Sequence, residues 1–251
     1  MIEDFALSSK ALYSILKEKN VQFLYHANTV ATSLTFIKSG CLLSRHQVEI
    51  DGLTQSYQKS DEHDKKHDVW DHIYVDGTDH HKIYGQSNFY GPVLFRLDLK
   101  LLVSPSFQEI YVMKSNPMFW NDKMSLDDKF YQNIDEIAAD YLTKKKNDAQ
   151  IMFTFRNPGH NLKFNKFLHS IGIDEPSIPI KLRTGAEIPA GDFVRTTIES
   201  ALKDNNLSHI PVLKRHEKGL EWCKCEAQYT FMYNFNLKEF KRRFSITPQP
   251  A

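Results

Sequence analysis

The sequence predicts an α+β fold with a mostly antiparallel or mixed sheet and flanking helices, and three observations carry that expectation. Short apolar runs of strand type interleave with amphipathic stretches of helix type. Their order lacks a strand-helix-strand rhythm, which argues against a parallel doubly wound sheet. The 251 residues are 41% hydrophobic and 25% charged, the balance of a folded chain rather than a disordered one. No Pro/Gly/Ser-rich linker and no internal repeat divides the chain, so residues 1–251 read as a single domain.

Element by element, Ile2, Phe5, Leu12, Ile15 and Leu16 form a helical stripe over residues 2–18. Val21 to His26 reads as a strand, and Thr29 then caps a helix carrying Val30, Leu34 and Ile37 that stops at Gly40. Residues 44–68 are polar and read as a long surface loop, a kind of segment that is often functional. Ile73–Val75 and the alternation Val93, Phe95, Leu97, Leu99 are strands. Leu126, Phe130, Ile134, Ile137 and Tyr141 are spaced for a long helix that ends in Lys144-Lys-Lys146. Ile151–Phe155 reads as a strand closed by Asn157-Pro-Gly159, and residues 191–204 as a helix. Ile210–Leu213 and Ala227–Phe235 read as late strands, and Asn236 with Glu239 opens a final helix over Leu237–Phe244.

Several classes of chemistry lack their motifs. There is no Gly-x-Gly dinucleotide fingerprint, Walker lysine loop, Gly-x-Ser-x-Gly elbow, His-Glu-x-x-His helix or zinc-deaminase pattern. Cys41, Cys223 and Cys225 are too few and too unevenly placed for a disulfide framework. The acidic opening Met1-Ile-Glu-Asp4 and the absence of a long apolar run predict a cytoplasmic protein with no membrane partner.

The net charge of +1 conceals an asymmetry. Residues 1–140 carry 14 basic and 20 acidic side chains, net −6, and residues 141–251 carry 18 and 11, net +7. Lys144 to Lys146, Lys214-Arg215 and Lys241-Arg-Arg243 lie near Phe153, Phe155, Trp222, Tyr229, Phe240 and Phe244. Cations beside aromatics suit single-stranded nucleic acid, although core aromatics beneath solvated charges give the same pattern.

Three constellations can carry chemistry. His63, Asp64, His67, Asp68, His72, His80 and His81 form a histidine- and aspartate-rich stretch. On a helix His63 and His67 would share a face and could hold a metal, but a solvated loop explains the stretch more simply. His26 ends an apolar strand just before a helix, within Tyr25-His-Ala27-Asn28. Glu226 opens the apolar segment after Trp222-Cys-Lys-Cys225, with Gln228 on the same strand face; a salt bridge to Lys224 or Arg215 is its structural alternative.

Taken together, Leu24-Tyr-His26-Ala-Asn28, the helix ending at Gly40-Cys-Leu-Leu-Ser-Arg45, His72-Ile-Tyr74-Val-Asp76 and Cys225-Glu226-Ala-Gln228 resemble the ADP-ribosyltransferase fold. Within it they are similar to the DarT-like toxins, which attach ADP-ribose to nucleic-acid bases, and to the CmdT-type enzymes acting on messenger RNA. The resemblance implies NAD as the ADP-ribose donor and no metal. It implies that His26, Ala27 and Asn28 hold the nicotinamide end and that Tyr74 stacks on its ring. Glu226 would be catalytic, and Gln228 would place the acceptor. A basic residue in the loop after the first helix would assist; Arg45, Lys59, Lys65 and Lys66 are all available there, with Arg45 the one assigned. The implied partners are single-stranded RNA or DNA as acceptor and an antitoxin protein. A metal-dependent hydrolase or nuclease, and a non-catalytic module of the same fold, are the competing readings.

Overall fold

The N-terminal stripe does not form one helix. In the computed structural model, which describes residues 1–143, 152–156, 161–164, 166–182, 184–215 and 224–248, Ile2–Phe5 is a 3-10 turn. Leu7–Ser8 is strand β1, and helix α1 spans Ser9–Glu18. The break arises because Leu7 pairs with Ile110 at the sheet edge. β2 (Phe23–Asn28) and α2 (Val30–Ser39) form as expected. The Thr29 hydroxyl accepts the Thr32 amide at 3.3 Å, and Gly40 ends the helix at φ 66°, a conformation open to glycine.

β3 (Cys41–Leu43) follows. The segment expected as a loop instead contains α3 (Arg45–Ile50) and α4 (Asp61–Lys66). The Ser44 hydroxyl accepts the Gln47 amide at the start of α3. In α4 the acidic residues of the first turn and the lysines of the last complement the helix dipole, a signal that apolar periodicity cannot reveal. β4 (Ile73–Asp76), α5 (His80–Tyr84), β5 (Val93–Asp98) and β6 (Glu109–Met113) come next.

The long helix expected over 126–141 is divided into α6 (Leu126–Lys129), α7 (Ile134–Ala138) and a π turn at Ala139–Thr143. Phe130 leaves helical geometry to bridge Met113, and Ser125 and Asn133 each cap a new start. Lys144–Lys146, Ile151, Asn157-Pro-Gly159, Trp222 and Cys223 lie outside the described residues. β7 (Met152–Phe155), β8 (Asn161–Lys163), β9 (Leu168–Ile173), β10 (Pro179–Lys181) and β11 (Glu187–Pro189) follow. Then come α8 (Ala190–Asp204), β12 (Val212–Lys214), α9 (Cys225–Phe235) and α10 (Leu237–Phe244). α9 corrects the expectation of a strand at Ala227–Phe235, whereas α10 starts as expected, with the Asn236 side chain accepting the Glu239 amide.

The fold is α+β. Among the described residues the main sheet runs β1-β6-β7-β4-β2-β5-β9-β12, antiparallel except where β12 joins β9 in parallel. Leu24, Val75, Phe95, Phe153 and Ile171 of the sheet belong to one buried core with Leu12, Ile37 and Val194 of the helices. No helix among the described residues is long and apolar enough to cross a membrane.

β2 pairs with β5 along six residues, but with β4 only at Tyr25–Asp76. Beyond that pair the strands part, and backbone groups there take side-chain partners instead.

Candidate active site

Where β2 and β4 part, the His26 ring stands in for the missing ladder. Its Nδ1–H donates to the Tyr74 carbonyl at 2.7 Å, which leaves Nε2 as an acceptor. Nε2 accepts from the Asn28 amide nitrogen at 3.3 Å, so the ring is held in one tautomer. Burial pushes the His26 pKa below its ordinary value, and the ring is neutral near pH 7. Asn28 Oδ1 accepts the Thr29 amide at 2.9 Å and the Gln58 amide at 3.3 Å. Gly91 lies against this turn; a Cβ there would collide with the Asn28 carbonyl, so the close approach of the two segments requires glycine.

These groups border a cavity of about 670 Å³, counting its open mouth. His26, Ala27, Asn28, Arg45 and Tyr74 all line it, and the sequence had pointed to them from three separate motifs. Tyr74 contributes its ring while its hydroxyl donates to the Val69 carbonyl at 3.1 Å. Arg45 is the one among the four basic candidates that reaches the cavity. Lys65 sits over the Trp70 ring, Lys66 pairs with Asp122, and Lys59 lies over Phe89 in a separate groove.

The Arg45 guanidinium lies over the Trp70 ring, 5.3 Å from its centroid, and is anchored through one nitrogen. Nη2 donates to Asp61 at 2.7 Å and to the Ser56 carbonyl at 3.0 Å. Its Nε and Nη1 are buried without a hydrogen-bond partner among the described residues. A buried cation with idle donors is costly unless a ligand supplies acceptors.

The lining also includes Gln58, Ser60, Asp64, Tyr90 and Asn116, to which sequence reasoning gave no such place. Asp64 was visible only as part of the histidine-aspartate stretch. Burial pushes its pKa up to about 7, against the opposing effects of the Ser60 hydroxyl and Arg45. Asp76, at the end of β4, is the other carboxylate of the lining and lies 3.6 Å from His80.

Glu226 and Gln228 are placed elsewhere. Both sit on α9 rather than on a strand, because the buried residues of this segment recur at helical spacing, Cys225 then Tyr229. The Glu226 carboxylate accepts the Ser177 amide at 3.0 and 3.2 Å and does not border the cavity. Nor does it meet Arg215, one of the two cations named as its structural alternative, which is buried on Asp79 at 2.6 Å and Asp174 at 3.3 Å. Gln228 accepts the Ser87 amide at 2.8 Å and lines an outer groove.

The histidine stretch also differs from the loop expected. His63 of α4 and His67, the residue that caps its C-terminus, meet edge to face with ring centroids 4.4 Å apart. Among the described residues, however, no group of three or more His, Cys, Asp or Glu side chains is arranged to hold a metal ion.

No protein-family model matches the chain, and no curated protein matches it. Among solved structures it is similar to Thermus sp. 2.9 DarT in complex with ADP-ribosylated ssDNA. The TM-score is 0.48 at 10% identity, over 78% of this chain and 95% of that chain.

Proposed function

We propose that this protein is an NAD-dependent ADP-ribosyltransferase whose acceptor is a nucleic-acid base. The observation that carries the reading is the convergence of His26-Ala27-Asn28, Arg45 and Tyr74, from three parts of the chain, on one cavity.

The residues fit such a donor. Arg45 puts a cation on the cavity wall that suits a diphosphate, and its orientation is fixed by Asp61. Tyr74 offers a flat apolar wall for an aromatic ring, and Asn28 and Gln58 are held in place by each other. NAD supplies a ribose carbon that becomes electrophilic as its bond to nicotinamide breaks and the electron pair leaves with the nicotinamide. Positive charge then develops on the sugar, as in glycoside hydrolysis.

With Glu226 turned toward Ser177, Asp64 is the carboxyl group we assign to proton transfer. An acceptor nitrogen bonds to the ribose carbon, and Asp64 takes the proton that this nitrogen releases. A group titrating near neutrality is suited to that task.

The test is incubation of the protein with adenine-labelled NAD and separate pools of RNA, single-stranded DNA and protein. Label is expected in a nucleic-acid pool, reduced roughly tenfold or more by Arg45→Lys and unchanged within about twofold by Glu226→Gln. Label in protein alone would remove the assigned acceptor, and loss of transfer in Glu226→Gln would restore that residue to the chemistry.

A further inference from the structure

The cavity opens onto a second feature that the chemistry above does not use. Its mouth residues Ser60, Asp76, Tyr90 and Asn116 also line an intermediate groove. That groove in turn shares Gln86, Ser87 and Phe89 with an outer groove along α9 and α10. The three depressions therefore form one continuous path from the cavity to the C-terminal helices.

The outer groove is strongly one-sided in charge. Among the described residues five basic side chains line it, Lys59, Lys224, Lys238, Arg242 and Arg243, against one carboxylate, Glu239. Arg242 and Arg243 hold Glu239 at 2.7 to 2.8 Å, and this contact pulls its pKa down to about 2. Glu239 is thus committed to α10 itself. Lys59, Lys224 and Lys238 are exposed, and no carboxylate among the described residues forms an ion pair with them.

Aromatic rings are exposed along the same path. Phe231 is 62% and Phe235 75% exposed, with ring centroids 5.0 Å apart on one face of α9. Phe89 is 48% exposed with Lys59 and Arg243 over its ring, and Phe119, 77% exposed, lines the intermediate groove. Large apolar rings left in water at this density mark an interaction surface.

We propose that this path is a binding track for single-stranded nucleic acid, with phosphates on Lys59, Lys224 and Lys238 and unstacked bases on Phe231 and Phe119. Cations alone would also suit a duplex or an acidic peptide. Exposed ring faces interleaved with cations favour a single strand, whose bases are free to stack while its phosphates meet the lysines. The grip is sequence-tolerant, because every base has a face to stack. That the track ends at a site of transfer rests on the reading given above; that it binds a strand does not.

The test is fluorescence anisotropy of labelled oligo(U) RNA and oligo(dT) DNA with the full chain, without NAD, across a salt series. Both strands are expected to bind, with affinity falling linearly in log-log form as salt rises. Phe231→Ala is expected to weaken binding roughly tenfold or more, and Lys224→Glu with Lys238→Glu to weaken it and flatten the salt dependence. All three side chains are exposed, so thermal stability serves as a control for folding. Strand binding unaffected by these substitutions overturns the proposal, as does equal competition by a polyglutamate peptide. Because NAD is absent from the titration, failure of the NAD reading would appear separately, as loss of NAD binding with strand binding intact.

Discussion

Asp64 concentrates the electrostatic cost of the cavity in one side chain. Its carboxyl is buried and its pKa lies at about 7, above its usual 3.8, so the folded protein holds this proton more tightly than the unfolded chain. The stability that the protonated group provides is complete below about pH 4 and is lost as pH rises through 7. At about 1.4 kcal/mol per pKa unit, ionised Asp64 at pH 8 costs the fold on the order of a few kcal/mol. Asp64→Asn should therefore raise thermal stability at pH 8 but not at pH 4, while abolishing the rise in transfer rate between pH 6 and 8. Differential scanning calorimetry and rate profiles at the two pH values check both halves. A variant with wild-type transfer across that range would remove Asp64 from the chemistry.

At the scale of elements, legibility followed how local the determining contacts are. β2 and α2 were readable because Thr29 and Gly40 close the helix within a few residues. The segment 126–141 misled because Phe130 keeps helical spacing with its neighbours while serving a bridge to Met113. α9 misled for a related reason: Ala227, Tyr229, Phe231, Tyr233 and Phe235 alternate as a strand would, yet Phe231 and Phe235 are exposed rather than core. What fixes α9 is distant in sequence. The buried Tyr229 hydroxyl donates to Asp174 at 2.5 Å, and Asp174 also meets His81 at 2.9 Å and Arg215 at 3.3 Å. Tyr229→Phe is expected to lower unfolding free energy by about 2 kcal/mol, measured by denaturant titration, with helical content retained. A variant as stable as the parent would mean that this anchor contributes nothing to docking α9.

For the whole molecule, the near-neutral sum of charge hides a division of labour. The acidic N-terminal part supplies His26, Arg45, Asp64 and Tyr74 to the cavity, where β2 and β4 part. The basic C-terminal part supplies Lys224, Lys238, Arg242 and Arg243 to the outer groove. The cavity half of this plan was legible from motifs, because strand ends and capped helices carry its residues. The carboxylate was not, since Asp64 reaches the cavity from a short helix whose sequence has no apolar period. Hydrogen exchange with and without NAD tests most directly whether this cavity is the NAD site. NAD is expected to slow exchange at residues 26–32, 56–64 and 73–76, leaving 225–235 unchanged. Protection confined to the C-terminal helices, or none at saturating NAD, would contradict it.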